Sequence, residues 1–195
     1  MFDVVEKARE TKDVDEIDEI RAVQAVAEEV TAEAIDLIAN ADLGANGTLT
    51  VKKEPLKVGK VKSFFGHKFL DHGCVTEEDI IVACGPKASD PHYFGDPQDV
   101  LKANQPIILD VVPRSVQKRY WTDMTRTIVK GKASDKVRKM FGTVLEAKNA
   151  SMDVIQAGVL GSDVYEVCCD VLEKAGYETT RGEKQITRGL THSLG

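Results

Sequence analysis

The sequence predicts an α+β domain of two similar halves, the second without its sheet. Three observations carry that prediction. Long stretches repeat apolar residues at helical spacing, and short apolar runs between Gly- and Pro-bearing segments have the length of strands. The order helix, helix, strands occurs once in full and then begins again with helix, helix. Similarity between the halves is weak, so the repeat is one of architecture.

Residues 1–12 read as a lead-in or linker remnant, and 13–195 as the domain. Residues 14–40 place Ile17, Ile20, Val23, Val26, Val30, Ala34 and Leu37 on one helical face, with Glu and Asp opposite. "NADLGANGTL" stops this helix with Asn and Gly. Residues 57–72 repeat the pattern through Val58, Val61, Phe65 and Phe69, and Gly73 stands where a left-handed C-terminal residue belongs. "DIIVACG" is a short buried strand closed by Gly85. "PKASDPHYFGDPQD" is a polar loop shaped by Pro and Gly, and it carries His92.

"QPIILDVV" and "YWTDMTRTIV" are two strands joined by a basic turn. Ser134 can cap a helix over 135–157 whose apolar face is Val137, Phe141, Val144, Leu145, Met152 and Ile155. "AGVLGSD" leads into a helix over 163–175, with Val164, Val167, Cys168, Val171 and Leu172 inward and Gly176 at its end. "RGEKQITRGLTHSLG" then enters what the repeat makes the second set of strands, and the sequence ends there.

With 195 residues, 42% apolar and 30% charged, the chain has the balance of an ordinary globular protein with a real core. A net charge of −6 leaves no basic footprint and argues against a nucleic-acid partner. Apolar runs such as "PIILDVV" are far too short to cross a membrane, and the acidic N-terminus lacks the apolar segment of a secretory signal. Cys74, Cys84, Cys168 and Cys169 fit no zinc-knuckle spacing. They read as reduced structural thiols, which points to the cytoplasm.

The chemistry concentrates in "ILDVVPRSVQKRYWTDMTRTIV", residues 108–129, where each strand carries one aspartate. If the turn centres between Val116 and Gln117, Asp110 and Asp123 stand directly opposite each other, on an inward face shared with Ile108 and Val112. Opposed carboxylates repel, and partial burial adds to the cost; protonation or a cation relieves it. One or two divalent metals would turn the repulsion into ligation. Alternatively, one aspartate pairs with Arg119 or Arg126 and the other faces water. A one-residue slip would put them on opposite faces.

The stretch "ILDVVPRSVQKRYWTDMTRTIVKGKA", and "DMTRT" above all, resembles the metal-binding segment of the pita-bread metallopeptidases. That superfamily holds methionine aminopeptidases, aminopeptidase P and Xaa-Pro dipeptidases, with creatinase as a non-peptidase cousin. The 13-residue spacing between the aspartates is slightly longer than the family's commoner one, and the extra length is assigned to "PRSVQKR". "TEEDIIVACGPKASDPHYFGDP" resembles the segment that brings a histidine to the substrate site. "GLTHSLG" resembles the start of the family's histidine-bearing strand, and "KDVDEIDEIRAVQAVAEEV" the first catalytic-domain helix of the proline-specific members. The resemblance runs from residue 12 to 195. It implies a pita-bread fold with its first half complete and its second half lacking the C-terminal strands, that is, a truncated catalytic domain.

The resemblance further implies a peptidase that hydrolyses an Xaa-Pro bond near the N-terminus of small peptides through a metal-bound hydroxide. Two divalent ions (Mn, Co or Zn) are held in the family by two aspartates, one histidine and two glutamates. Asp110 and Asp123 match the aspartates, Asp123 bridging the metals, and Thr125 would support Asp123 from the same strand face. His92 would orient substrate or stabilise the tetrahedral intermediate. His192 admits two alignments. In one it is the metal ligand, with Arg188 in place of the family's preceding histidine; in the favoured one it is the substrate-site histidine, and the ligand would follow Gly195. His67 and His72 read as solvated helix-end residues. No residue matches the two glutamates, so the chain by itself is expected to be inactive. A homodimer is compatible with this reading. Two rivals remain, a creatinase-like amidinohydrolase and a non-catalytic peptide- or protein-binding module. The presence of Asp110, Asp123 and His92 together favours the peptidase.

Overall fold

A computed structural model describes residues 3–77 and 80–181. They divide into two compact units, one of residues up to 88 together with 92–131, the other of 89–91 together with residues from 132 onward.

The first unit opens with helices α1 (Asp3–Glu10) and α2 (Val14–Ala39). A reciprocal cap starts α2: the Asp13 carboxylate accepts the Glu16 N–H, and the Glu16 carboxylate accepts the Asp13 N–H, each at 2.9 Å. The helix buries Val23, Ala27, Val30, Thr31, Ala34 and Ile38. That line differs from the expected stripe: Ile17 is 37% exposed, and Ala27 and Ile38 replace Val26 and Leu37 in the core. A small sheet follows, β1 (Asp42–Leu43), β2 (Leu49–Val51) and β3 (Glu54–Pro55), in a stretch that read only as a helix stop. Helix α3 (Val58–Asp71) buries Val58, Val61, Phe65 and Phe69 as expected. It ends at Gly73, whose φ of +68° is the left-handed conformation the sequence called for.

Five strands complete the unit: β4 (Cys74–Thr76), β5 (Ile81–Cys84), β6 (Ile107–Val111), β7 (Pro113–Ser115) and β8 (Met124–Ile128). The order β5-β6-β8 makes an antiparallel sheet, and β4 pairs with β7. Helix α2 packs against α3, β7 and β8, and α3 against β4 and β5. The core forms between these helices and one sheet face, which contributes Val82, Ile107, Leu109, Val111 and Met124. Ile108, Asp110 and Val112 lie on the other, half-buried face, so their expected inward placement is reversed. The physical reason is that β6 is apolar on both faces except at Asp110. The face with the charge stays toward solvent, where desolvation is least.

In the second unit, Ser134 caps α4 (Asp135–Val154) by accepting the Val137 N–H at 3.3 Å, and α4 packs on α5 (Gly161–Lys174). The expected apolar face of α4 is not what it buries: Phe141 is 53% and Met152 56% exposed, and Val144, Leu145 and Ile155 are exposed as well. Thr143, Ala147 and Ser151 go inward instead, beside Cys169 and Leu172 of α5. Small side chains let two helices approach closely. The two hydroxyls are satisfied within the helix, Thr143 donating to the Lys139 carbonyl at 3.0 Å and Ser151 to the Ala147 carbonyl at 2.8 Å. Among the described residues this unit has no strand, and no helix is long and apolar enough to cross a membrane.

Candidate metal centre

Strand β6 pairs with β8 so that Asp110 faces Thr125 and Val111 faces Met124. The hairpin then continues outward. The Thr122 N–H donates to the Pro113 carbonyl at 3.1 Å, Arg114 bridges to Trp121, and the Ser115 N–H donates to the Tyr120 carbonyl at 3.0 Å. Residues 116–119 form the loop, closed by Arg119 N–H to the Ser115 carbonyl at 3.0 Å, with Arg119 at φ +62°.

The turn is therefore centred one residue later than expected, and Asp123 falls opposite Val112 rather than Asp110. Moving the centre by one position moves the register by two, which preserves the side-chain parity. Asp110, Val112, Arg114, Trp121, Asp123 and Thr125 consequently share one face. The two aspartates are diagonal neighbours, with backbone positions about 7–8 Å apart on general sheet geometry.

Helix α2 decides which side of the returning strand faces out. Lys118 pairs with Glu19 at 2.9 Å, the Tyr120 hydroxyl donates to Glu16 at 2.7 Å, and Thr122 donates to the Gln24 side-chain oxygen. Met124 is buried beside them, its sulfur 3.7 Å from the Gln24 amide. The even-numbered residues are thus gripped by α2, and Trp121, Asp123 and Thr125 point away. The Glu16 carboxyl is held below its ordinary range by the Asp13 backbone N–H and then by Tyr120, whose own hydroxyl is pushed up by Glu16.

Asp110 is half-buried, and one of its oxygens accepts the Thr125 hydroxyl at 2.7 Å. Thr125 thus supports Asp110, where the sequence had assigned it to Asp123. Arg126, one of the alternative partners, pairs with Leu109 on the opposite face, and its guanidinium donates to the Thr125 carbonyl at 2.9 Å. Asp123 is exposed. With Val112, Trp121 and Thr122 it lines an open depression of about 340 Å3.

His92 sits exposed in the turn after a short 3-10 helix, Gly85–Ser89. Its loop is tied back beside β5, where the Val82 N–H donates to the Phe94 carbonyl at 3.2 Å, next to Ile81, the other cross-strand neighbour of Asp110. A second anchor escaped the sequence reading. Lys87 reaches both Asp99 carboxylate oxygens at 2.9 Å, and the Tyr93 hydroxyl donates to Asp99 at 2.6 Å while accepting the Asp96 N–H at 3.0 Å. Lys87 pushes the Asp99 carboxyl below its ordinary range, with Tyr93 adding to the effect, and Asp99 raises the Lys87 ammonium. No periodicity or motif marks these three residues in the sequence.

His67 and His72 are at the surface, His67 2.6 Å from the Ser63 carbonyl and His72 at the end of α3, 4.0 Å from Glu29. His192 and Arg188 lie outside the described residues. Among those described, no group of three or more His, Cys, Asp or Glu is arranged to hold a metal ion. Asp110 and Asp123 offer hard oxygen donors on one face, the donor class divalent cations prefer. They fit one side of a metal site and do not close it.

The sequence profile of metallopeptidase family M24 matches residues 18–195. The chain belongs to that family. Divalent metal ions are accordingly the cofactor class of its M24 relatives. An Xaa-Pro dipeptidase of Lactobacillus helveticus is 30% identical over 117 residues, covering 60% of this chain and 30% of that protein. The fold is similar to that of the X-Pro aminopeptidase from Thermotoga maritima, with a TM-score of 0.77 and 22% identity over 91% of this chain and 46% of that one. It is likewise similar to the Xaa-Pro dipeptidase from Bacillus anthracis, with a TM-score of 0.76 and 25% identity over 89% of this chain and 44% of that one. The M24 chain thus has the α+β pita-bread fold in part, and it spans less than half the length of these relatives.

Proposed function

We propose that residues 13–195 are part of the catalytic domain of an M24 peptidase that hydrolyses an Xaa-Pro bond near the N-terminus of short peptides. Asp110 and Asp123 would be two of its metal ligands, with Mn, Co or Zn as the ions. The observation that carries this reading is the hairpin face. Two carboxylates sit on it diagonally, one fixed by a 2.7 Å hydrogen bond from Thr125, on the side of the sheet away from the helices. The Xaa-Pro preference is supported by the names of the relatives.

Bound divalent ions polarise a peptide carbonyl and lower the pKa of water toward neutrality. Thr125 occupies one oxygen of Asp110 and turns the carboxylate, leaving its second oxygen for the cation. Asp123, nearer the solvent, bounds the depression through which a peptide approaches. His92, on a tethered loop, would donate a hydrogen bond to the substrate carbonyl oxygen as negative charge develops there. No proton-accepting glutamate is assigned within the chain, so these 195 residues alone are expected to leave Ala-Pro uncleaved in Mn2+ or Co2+. Four free thiols favour a reducing, cytoplasmic setting.

Calorimetric titration with Mn2+ tests the hairpin directly. The parent chain should bind and Asp123→Ala should lose most of that affinity. Equal binding by both would remove the hairpin from the metal site.

A further inference from the structure

Gln24 lies in the middle of α2, between Val23 and Ala27, which are 3% and 0% exposed and fix its backbone against the core. We propose that Gln24 is a positioning residue for the metal centre: from behind the strand, its one carboxamide holds Asp123 in ligating position by gripping both of that residue's chain neighbours. The proposal rests on the metal reading of Asp110 and Asp123.

Three features of the structure support it. The Gln24 side-chain oxygen accepts the Thr122 hydroxyl, and its nitrogen stands 3.7 Å from the Met124 sulfur, so the two residues that flank Asp123 are bound by one group. Thr122 is half-buried and Met124 is buried, both on the side toward α2. Side chains alternate along a strand, so fixing 122 and 124 on that side fixes Asp123 on the other, on the face it shares with Asp110. The amide itself has one orientation. Its nitrogen also donates to the Glu28 carboxylate at 2.9 Å, and a flipped amide would turn its oxygen onto that carboxylate. The other grips of α2, Glu16 on Tyr120 and Glu19 on Lys118, fall further out along the hairpin. Gln24 thus acts at the two positions where slack displaces Asp123 most directly. A metal centre tolerates little displacement of its ligands, so that slack is read as lost affinity.

Calorimetric titration of the full chain with Mn2+ tests this in the parent, Gln24→Met, Thr122→Val and the double variant, with urea unfolding alongside. Gln24→Met keeps length and charge and removes the hydrogen bonds, so long-range attraction of the cation is unaltered. It should bind Mn2+ roughly 10- to 100-fold more weakly, the range expected for loss of a group that orients a ligand. Thr122→Val should weaken binding in the same direction. The double variant should bind within about twofold of Gln24→Met, because both changes release the same grip. A merely structural Gln24 would move the urea midpoint and leave Mn2+ affinity unchanged; that result overturns the positioning while the metal reading stands. Losses that multiply in the double variant overturn the route through Thr122. If Gln24→Met does not fold, Thr122→Val carries the test: clearly weaker Mn2+ binding at an unchanged urea midpoint supports the positioning, and unchanged binding overturns it. Failure of the parent chain to bind Mn2+ overturns the metal reading and the positioning with it.

Discussion

Gly95→Ala should loosen the loop that carries His92 while leaving the core folded. Gly95 has a φ of +94°, which side chains rarely adopt, and a Cβ there would stand 2.1 Å from the Val82 carbonyl oxygen and 3.0 Å from Val58 Cγ1. Neither neighbour can yield cheaply, because one is backbone of β5 and the other is the fully buried first residue of α3. The backbone conformation costs about 1–2 kcal/mol for a residue with a Cβ. Losing the Val82 N–H to Phe94 carbonyl bond adds about 1 kcal/mol, and relief of the close contact brings the total to roughly 2–4 kcal/mol. Lys87, Tyr93 and Asp99 still hold the rest of the loop, so the cost should appear as local opening. Native-state hydrogen exchange reads it at the Val82 amide, which should exchange roughly 30- to 1,000-fold faster, at about 1.4 kcal/mol per decade. The amides of β6 should keep their protection. A Val82 amide exchanging within threefold of the parent would refute the argument that Gly95 holds the loop against β5.

Three further outcomes are expected. Thr125→Val removes the hydroxyl that holds Asp110 from an exposed position, so stability should change by less than about 1 kcal/mol, while Mn2+ affinity in calorimetry falls roughly 10- to 100-fold. Unchanged affinity would detach Thr125 from the site. Phe65→Ala should cost about 3–5 kcal/mol in urea unfolding, because its ring is fully buried and stacked on Phe69 at 5.9 Å; a loss below about 1 kcal/mol would contradict the packing described. The depressed Asp99 carboxyl contributes stability that is present above the ordinary value of 3.8 and is lost as pH falls through its lower folded value. Tyr93 ring resonances should therefore stay constant from neutral pH down to that region and shift only below it, and a transition near neutrality would show that Asp99 is not their partner.

The elements that sequence logic locates well are those whose pattern is local. Helix α3 combines an unbroken apolar spacing with a glycine stop, and the start of α2 carries its cap in Asp13 and Glu16. The small sheet β1–β3 shows the opposite case. Its hairpin turns through Lys52 and Lys53, at φ +53° and +68°, a geometry usually supplied by Asn-Gly, so the sequence carried no turn signal there. In α4 the larger apolar side chains misled, because packing against α5 selects small residues whose hydroxyls are satisfied within the helix. The tether of the His92 loop was equally hidden, since Lys87 and Asp99 are ordinary loop charges until folding brings them together.

By itself the sequence determined that Asp110 and Asp123 lie on adjacent strands of one hairpin, and it left open whether they share a face, because a one-residue slip in register puts them on opposite ones. Local alternation and loop length suffice for that much. Only the tertiary structure decided that Asp110 faces Thr125, that Asp123 sits two pairs further out, on the same face as Trp121, and that this face turns away from the core. Strand β6 is apolar on both sides and cannot choose. The choice is made by Glu16, Glu19 and Gln24 of α2, about a hundred positions earlier in the chain, which bind Tyr120, Lys118 and Thr122 and leave the alternate residues to the solvent.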